Sequence, residues 1–233
     1  MSEPAYGSAL VIGAGGGISG SFTRLAARRG LRVGLAARDV AKLETLATQT
    51  GARRYAVDAA SPDAMARLFE QAEAELGGVD VVLYNASARV PGTVDSLDPS
   101  EVLASLQVSA FGGFLAVREA ARRMIVRRRG AILLTGATAS VKGFKGSSAF
   151  AMGKFALRGL AQSAARELAP QGIHVAHFVI DGAVRSTRRP DPGDAPDSTL
   201  DPDAIARSYF DVLDQHRSAW SWEIELRPWT ESF

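Results

Sequence analysis

The chain has 233 residues, of which 46% are hydrophobic and 22% charged, proportions that bury the core of one large domain rather than solvate a disordered segment. With no cysteine in the sequence, disulfides, thiolate metal sites and cysteine nucleophiles are excluded. A formal net charge of +2 gives no strongly basic surface, so no nucleic-acid partner is expected.

Along the chain, short apolar runs alternate with amphipathic segments. The opening "MSEPAYGSALVIG" lacks the charged start, long apolar core and cleavage site of a signal peptide. No apolar run approaches the length of a membrane span, so the expected setting is cytoplasmic with no membrane partner. "SALVIGA" reads as a first strand, and Ser19 to Gly30 as a helix with Phe22, Leu25, Ala26 and Arg29 at three- and four-residue spacing. "LRVGLAA" is a second strand; Asp39 then caps a helix carrying Val40, Leu43 and Leu46, and "ARRYAVDA" is a third strand. Ser61-Pro62 is an N-cap followed by proline at the first helical position, and that helix ends at Gly77. "VDVVLYNAS" is continuously apolar, as a strand covered on both faces should be.

Asp98-Pro99 starts a helical region that runs to about Arg129. The arginine run Arg122, Arg123, Arg127, Arg128 and Arg129 closes it, where cations complement the helix dipole. "GAILLTGA" makes a fifth strand, followed by a helix from Ser148 to Ala169 and a strand from Ile173 to Ile180. In that strand His174 and His177 point to opposite faces, and His216 is remote, so structural histidines and no metal site are expected. "DPGDAPDSTLDPD", Asp191 to Asp203, reads as a mobile lid or an ordered surface loop before a last helix from about Pro202 to His216. "AWSWEIEL" alternates Trp220, Trp222, Ile224 and Leu226 against Ser221, Glu223 and Glu225, a one-sided strand whose tryptophans belong to the core or a subunit interface.

Alternating strands and helices with short connections imply right-handed crossovers and an α/β fold of the Rossmann class. A doubly wound parallel sheet of about seven strands is expected, in a single domain spanning residues 1–233 with a mobile substrate loop around 185–202.

"GAGGGISG" sits where the first strand turns into the first helix. Gly13, Gly15, Gly16, Gly17 and Ile18 would there let backbone approach a pyrophosphate at the helix N-terminus. At the end of the second strand, where a carboxylate would bind a ribose diol, Ala37 stands and Arg38 follows. A guanidinium suits a 2′-phosphate, so NADP(H) is expected in preference to NAD(H). Asp58, after the third strand, is placed to accept from the adenine amino group.

These elements together resemble the short-chain dehydrogenase/reductase family over nearly the whole chain. The family's opening T-G-x-x-x-G-x-G is similar to Ile12 to Ser19, with Gly13 and Gly17 retained, Ile12 for Thr and Ser19 for the last Gly. Its N-N-A-G resembles Tyr84-Asn85-Ala86-Ser87, and its P-G-x-x-x-T resembles Asp181 to Ser186, which brings Gly182 and Val184 to the cofactor. The family's Y-x-x-x-K aligns with "FAMGK". Phe150 then stands for the catalytic Tyr and Lys154 for the Lys that holds the nicotinamide ribose, while Ala137 stands for the Ser and Ser109 for the helix Asn.

The resemblance thus implies an intact cofactor site, Asn85 and Lys154 included, beside an altered proton route. Thr138, Asp181 and Ser109 are the candidate catalytic substitutes, with Thr135, Ser147 and Ser148 near them. A small-molecule substrate and a homodimer or homotetramer follow from the same resemblance. Three readings stay open: an NADP(H)-dependent oxidoreductase acting on a carbonyl or alcohol, an NADP(H)-binding sensor or regulator without turnover, and a non-redox enzyme on the same fold.

Overall fold

Seven short apolar segments pair side by side: Ser8–Ile12 (β1), Arg32–Ala37 (β2), Arg53–Ala56 (β3), Val81–Tyr84 (β4), Gly130–Thr135 (β5), Ile173–Ile180 (β6) and Glu223–Leu226 (β7). All the pairings are parallel and the strand order is β3-β2-β1-β4-β5-β6-β7. This computed structural model describes residues 6–231; residues 1–5, part of the stretch read for a leader, lie outside them. The order reverses between β1 and β4, which leaves a crevice at the carboxyl ends of those strands, where open α/β sheets take ligands.

Helices cover both faces. Ile18–Arg28 (α1), Glu44–Thr50 (α2) and, far along the chain, Pro202–Leu213 (α7) pack on one side, around Val11, Leu35, Leu83 and Phe178. Pro62–Leu76 (α3), Gly112–Arg127 (α5) and Ser148–Leu168 (α6) pack on the other, around Ile12, Val82, Tyr84 and Ile132. Double coverage is why the strands read as unbroken apolar runs. Capping behaves as the sequence implies at α3, where the Ser61 hydroxyl accepts from the Ala64 N–H and Gly77 adopts φ 65°. The Asp39 carboxylate accepts from the Ala41 N–H, yet the first turn after it, Ala41–Leu43, is a 3-10 turn, and the α-helix begins only at Glu44.

The region from Pro99 to Arg127 is helical throughout but not uniformly so. Pro99–Leu106 (α4) passes into a π-helical turn, Gln107–Phe111, before α5. The Tyr84 hydroxyl donates to the Val108 carbonyl, drawing that group out of the regular helical ladder. Gly112 makes the approach possible, because a Cβ there would stand 2.4 Å from the Tyr84 hydroxyl oxygen. By length and composition this 29-residue helix is also apolar enough to cross a membrane, contrary to the expectation that no segment would be. Its apolarity is divided: Leu115, Ala116, Ala120 and Met124 are buried on the sheet, whereas Leu103, Phe111 and Phe114 are exposed.

The arginine run is largely consumed by ion pairs. Arg123 reaches Glu119 at 2.6 Å, and Arg127 reaches Glu73 at 3.1 Å and the Val79 carbonyl at 2.7 Å. The last strand is shorter than its alternation suggests, because β6 offers pairing partners only to Glu223–Leu226. Trp220 instead stacks on His174, ring centroids 4.6 Å apart and 6° from parallel.

Candidate functional site

Among the cavities along the carboxyl edge of the sheet, two adjacent ones share Asn85 and Ser87 in their walls. The first, of about 400 Å³, is walled by Gly13, Gly15, Gly16, Arg38, Asp58 and Ala86, among others. Gly13 adopts φ +80°, and a Cβ there would meet the Ala86 backbone nitrogen at 2.3 Å, so this position admits glycine alone. By contrast, a Cβ added at Gly15, Gly16 or Gly17 would meet nothing within 4 Å. That open cradle at the start of α1, where a helix's first-turn N–H groups lack intrahelical acceptors, fits a pyrophosphate. Ser19, which stands where the family resembled carries glycine, accepts from the Gly15 N–H at 2.9 Å and so braces the turn.

Arg38 is exposed at the rim of this first cavity. Lys42, one turn on, lines it too and pairs with Asp39 at 3.1 Å; the sequence reading passed over this second cation. Asp58 is exposed in the same cavity, one carboxylate oxygen accepting from the Ala60 N–H at 3.0 Å. Asn85 closes the far wall, its backbone N–H donating to the Ile12 carbonyl at 2.8 Å.

The second cavity, of about 380 Å³, gathers Ile18, Gly182 and Val184 on one side and Ala137, Phe150 and Lys154 on the other. Lys154 is 3% exposed, and its ammonium donates to the Thr135 carbonyl at 2.7 Å. Burial, reinforced by repulsion from Arg89, pushes its pKa down from 10.5 to about 8. The Phe150 ring lies one turn before it, 5.8 Å from the ammonium. Where a seryl hydroxyl would stand, Ala137 presents a methyl group.

The substitute groups are placed differently from one another. Ser109 is fully buried in the π-helical turn, where its hydroxyl accepts from the Ala88 N–H at 3.1 Å, and it lines neither cavity. Asp181 pairs with Arg227 at 2.9 Å, and Thr138 starts the 3-10 turn Thr138–Ser140; neither lines the second cavity. The geometry therefore gives Ser109 and Asp181 structural bonds and leaves Lys154 as the titratable acid on the cavity wall.

Three features of this end were not read from the sequence. Arg89, exposed after β4, lays its guanidinium over the Phe150 ring, 4.2 Å from the centroid. Arg189 lines the same cavity from the loop after β6. Behind the wall, His177 shares a hydrogen bond with Glu223 at 3.0 Å, and Glu223 also takes both ends of the Arg158 guanidinium at 2.6 and 2.7 Å. Burial holds the His177 pKa down at about 4 despite the Glu223 charge, so the imidazole is neutral near pH 7. It presses on the chain beside Ala137, because a Cβ at Gly136 would stand 2.3 Å from its Nε2.

The loop over the cavities is internally braced. Arg185 reaches Asp191 at 2.8 Å and Asp201 at 2.5 Å, and Asp191 accepts from the Thr199 N–H at 3.0 Å.

The sequence model of the family described as short chain dehydrogenase matches residues 8–190. Nodulation protein G of Rhizobium meliloti (strain 1021) is 34% identical over 188 residues, covering 80% of this chain and 76% of that protein. Among solved structures, a short-chain dehydrogenase from Rhodopseudomonas palustris superposes with a TM-score of 0.83 at 33% identity, over 97% of this chain and all of that one. A metagenomic short-chain oxidoreductase in complex with NADP superposes with a TM-score of 0.84 at 27% identity, over 97% and 99% of the two chains.

Proposed function

The chain belongs to the short-chain dehydrogenase/reductase family, and on that premise we propose that it is an NADP(H)-dependent oxidoreductase acting on a small carbonyl or alcohol. The observation that carries this reading is the joined pair of cavities. One end has an open glycine cradle with Arg38 and Lys42, the other has the Lys154 ammonium, and Asn85 borders both. The cations at the first end favour a 2′-phosphate over a bare ribose diol. When bound, NADPH supplies the hydride.

The protein's part is to position and to handle the proton. The Ile18 and Val184 side chains and Gly182 make an apolar wall for the nicotinamide, and Lys154 is placed to bond its ribose. Without the usual hydroxyls, the proton for the carbonyl oxygen comes from Lys154 directly or from water ordered beside it. A group of pKa about 8 is suited to give a proton near neutrality and to take one in the reverse direction. Loop 185–202 acts as the substrate lid, its shape kept by the Arg185 bridges to Asp191 and Asp201 within it.

We further propose that a second copy of the chain covers the exposed apolar residues Leu103, Phe111 and Phe114 of the long helix with Met152 and Phe155 of α6, and that the protein works in the cytoplasm. The deciding experiment follows NADPH absorbance with a broad panel of carbonyls. Consumption by the wild type that falls in a Lys154→Ala variant supports turnover; equal rates for both across the panel refute it. The loss of hydroxyls at Phe150 and Ala137 favours one rival reading, an NADP(H) sensor, which predicts tight binding with no consumption at all.

A further inference from the structure

The second cavity carries more positive charge than a nicotinamide and its ribose require. Lys154, Arg89 and Arg189 line it, and among the described residues no acidic one does. Asp181, the carboxylate nearest to it in sequence, turns to Arg227 at 2.9 Å. Among the described residues no ion pair engages the Arg89 side chain; its recorded contact is the ring of Phe150, 4.2 Å from the guanidinium carbon. A guanidinium stacked on a ring face is held in place while its in-plane N–H donors stay available to a ligand.

The position of that seat matters. Phe150 occupies the place where the family carries a hydroxyl, one turn from Lys154, so a cation resting on its ring stands at the mouth of the reacting end. A phenyl ring there has a use that its lack of acidity would not suggest: it is an apolar platform for a charged donor. The phosphates of a dinucleotide have other partners in the glycine cradle, Arg38 and Lys42. The charge at Arg89 is therefore left for the other occupant of the cavity.

We propose that the substrate is a small carboxylate-bearing carbonyl compound of the 2-oxo acid type, and that Arg89, seated on Phe150, binds its carboxylate. This rests on the oxidoreductase reading for the place of the cavity beside the cofactor. A carboxylate matches the planar guanidinium fork with two parallel hydrogen bonds, and it is small enough to share about 380 Å³ with the nicotinamide end. Arg189, from the lid side, adds positive potential above it.

The test measures binding rather than turnover. Glyoxylate, pyruvate, 2-oxobutyrate and phenylpyruvate, each beside its methyl ester, are titrated calorimetrically into protein saturated with NADP⁺, which as the oxidised form cannot reduce them. At least one acid should bind about ten- to a hundred-fold more tightly than its ester, the worth of a hydrogen-bonded charge contact, and the preference should weaken with salt. Arg89→Gln should abolish it in protein that still binds NADP⁺, and Arg89→Lys should restore part of it. The proposal is overturned if no acid outbinds its ester, or if the preference survives in Arg89→Gln. The same comparison on cofactor-free protein separates the two claims: failure to bind NADP⁺ with an Arg89-dependent acid preference intact would sink the oxidoreductase reading and leave the anion site standing.

Discussion

Replacing Lys154 by methionine should make the cofactor-free protein more stable at neutral pH, and less so as the solution becomes alkaline. Lys154 is 3% exposed, and its ammonium donates to the Thr135 carbonyl at 2.7 Å, with no carboxylate in ion-pair range among the described residues. Its pKa of about 8 against 10.5 in the open chain means that folding the charged form costs about 3 kcal/mol. Because the folded state binds the proton less tightly, that cost is present in full below pH 8, and stability is regained as pH rises from there toward 10.5. Methionine fills a similar volume without the charge and forfeits a hydrogen bond worth about 1 kcal/mol. The variant should therefore gain about 2 kcal/mol near pH 6.5, or about 4 to 8 °C in melting temperature. By about pH 9.5 the wild type has recovered about 2 kcal/mol, and the difference should have closed. Thermal and urea unfolding of both proteins at the two pH values reads this directly. A difference that does not change with pH would refute the claim that a charged, unpaired lysine is buried at the site.

Phe150→Tyr should raise NADPH-dependent reduction of neutral carbonyls by about a hundred-fold, the bottom of the range for general acid help because Ala137 still lacks a hydroxyl; the readout is kcat on one fixed substrate. Arg38→Ala should weaken NADPH binding about ten-fold or more and leave NADH binding nearly unchanged, as read by titration of both. Glu223→Gln removes the negative charge that His177 and Arg158 share and leaves one acceptor oxygen in place of two, and it should destabilise the protein by about 1 to 3 kcal/mol near pH 7. Arg158 and His177 together hold the Glu223 pKa down, so the wild-type advantage should be present above pH 4.5 and fade as pH falls below it. If the proposed second copy covers the exposed face of the long helix, Phe114→Glu should shift the protein toward monomers in sedimentation, with the fold retained by circular dichroism.

The parts of the site that were legible in the sequence are those fixed by local rules. The glycine turn after β1, Arg38 after β2 and the one-turn spacing of Phe150 and Lys154 each depend on neighbours within a few residues. The parts that were not legible depend on partners far along the chain. The π-helical turn is pulled open by a hydroxyl on Tyr84, 24 residues before Val108. The His177 contact comes from Glu223, 46 residues on, in an edge strand. The eight-residue alternation ending in Leu226 suggested a longer strand than the four residues that β6 pairs, because alternation shows which way side chains face but not where a partner strand stops. Arg89 escaped notice for a similar reason: it lies in an irregular stretch, and its meaning depends on a ring that reaches it from α6.

On the function proposed above, this chain holds NADP(H) along the two adjacent cavities and prefers it to NAD(H). Calorimetric titration of the wild type with NADPH and, separately, NADH tests it most directly. One site per chain is expected, with micromolar or tighter affinity for NADPH and binding of NADH weaker by about ten-fold or more. Absence of NADPH binding, or equal affinity for the two, would contradict it.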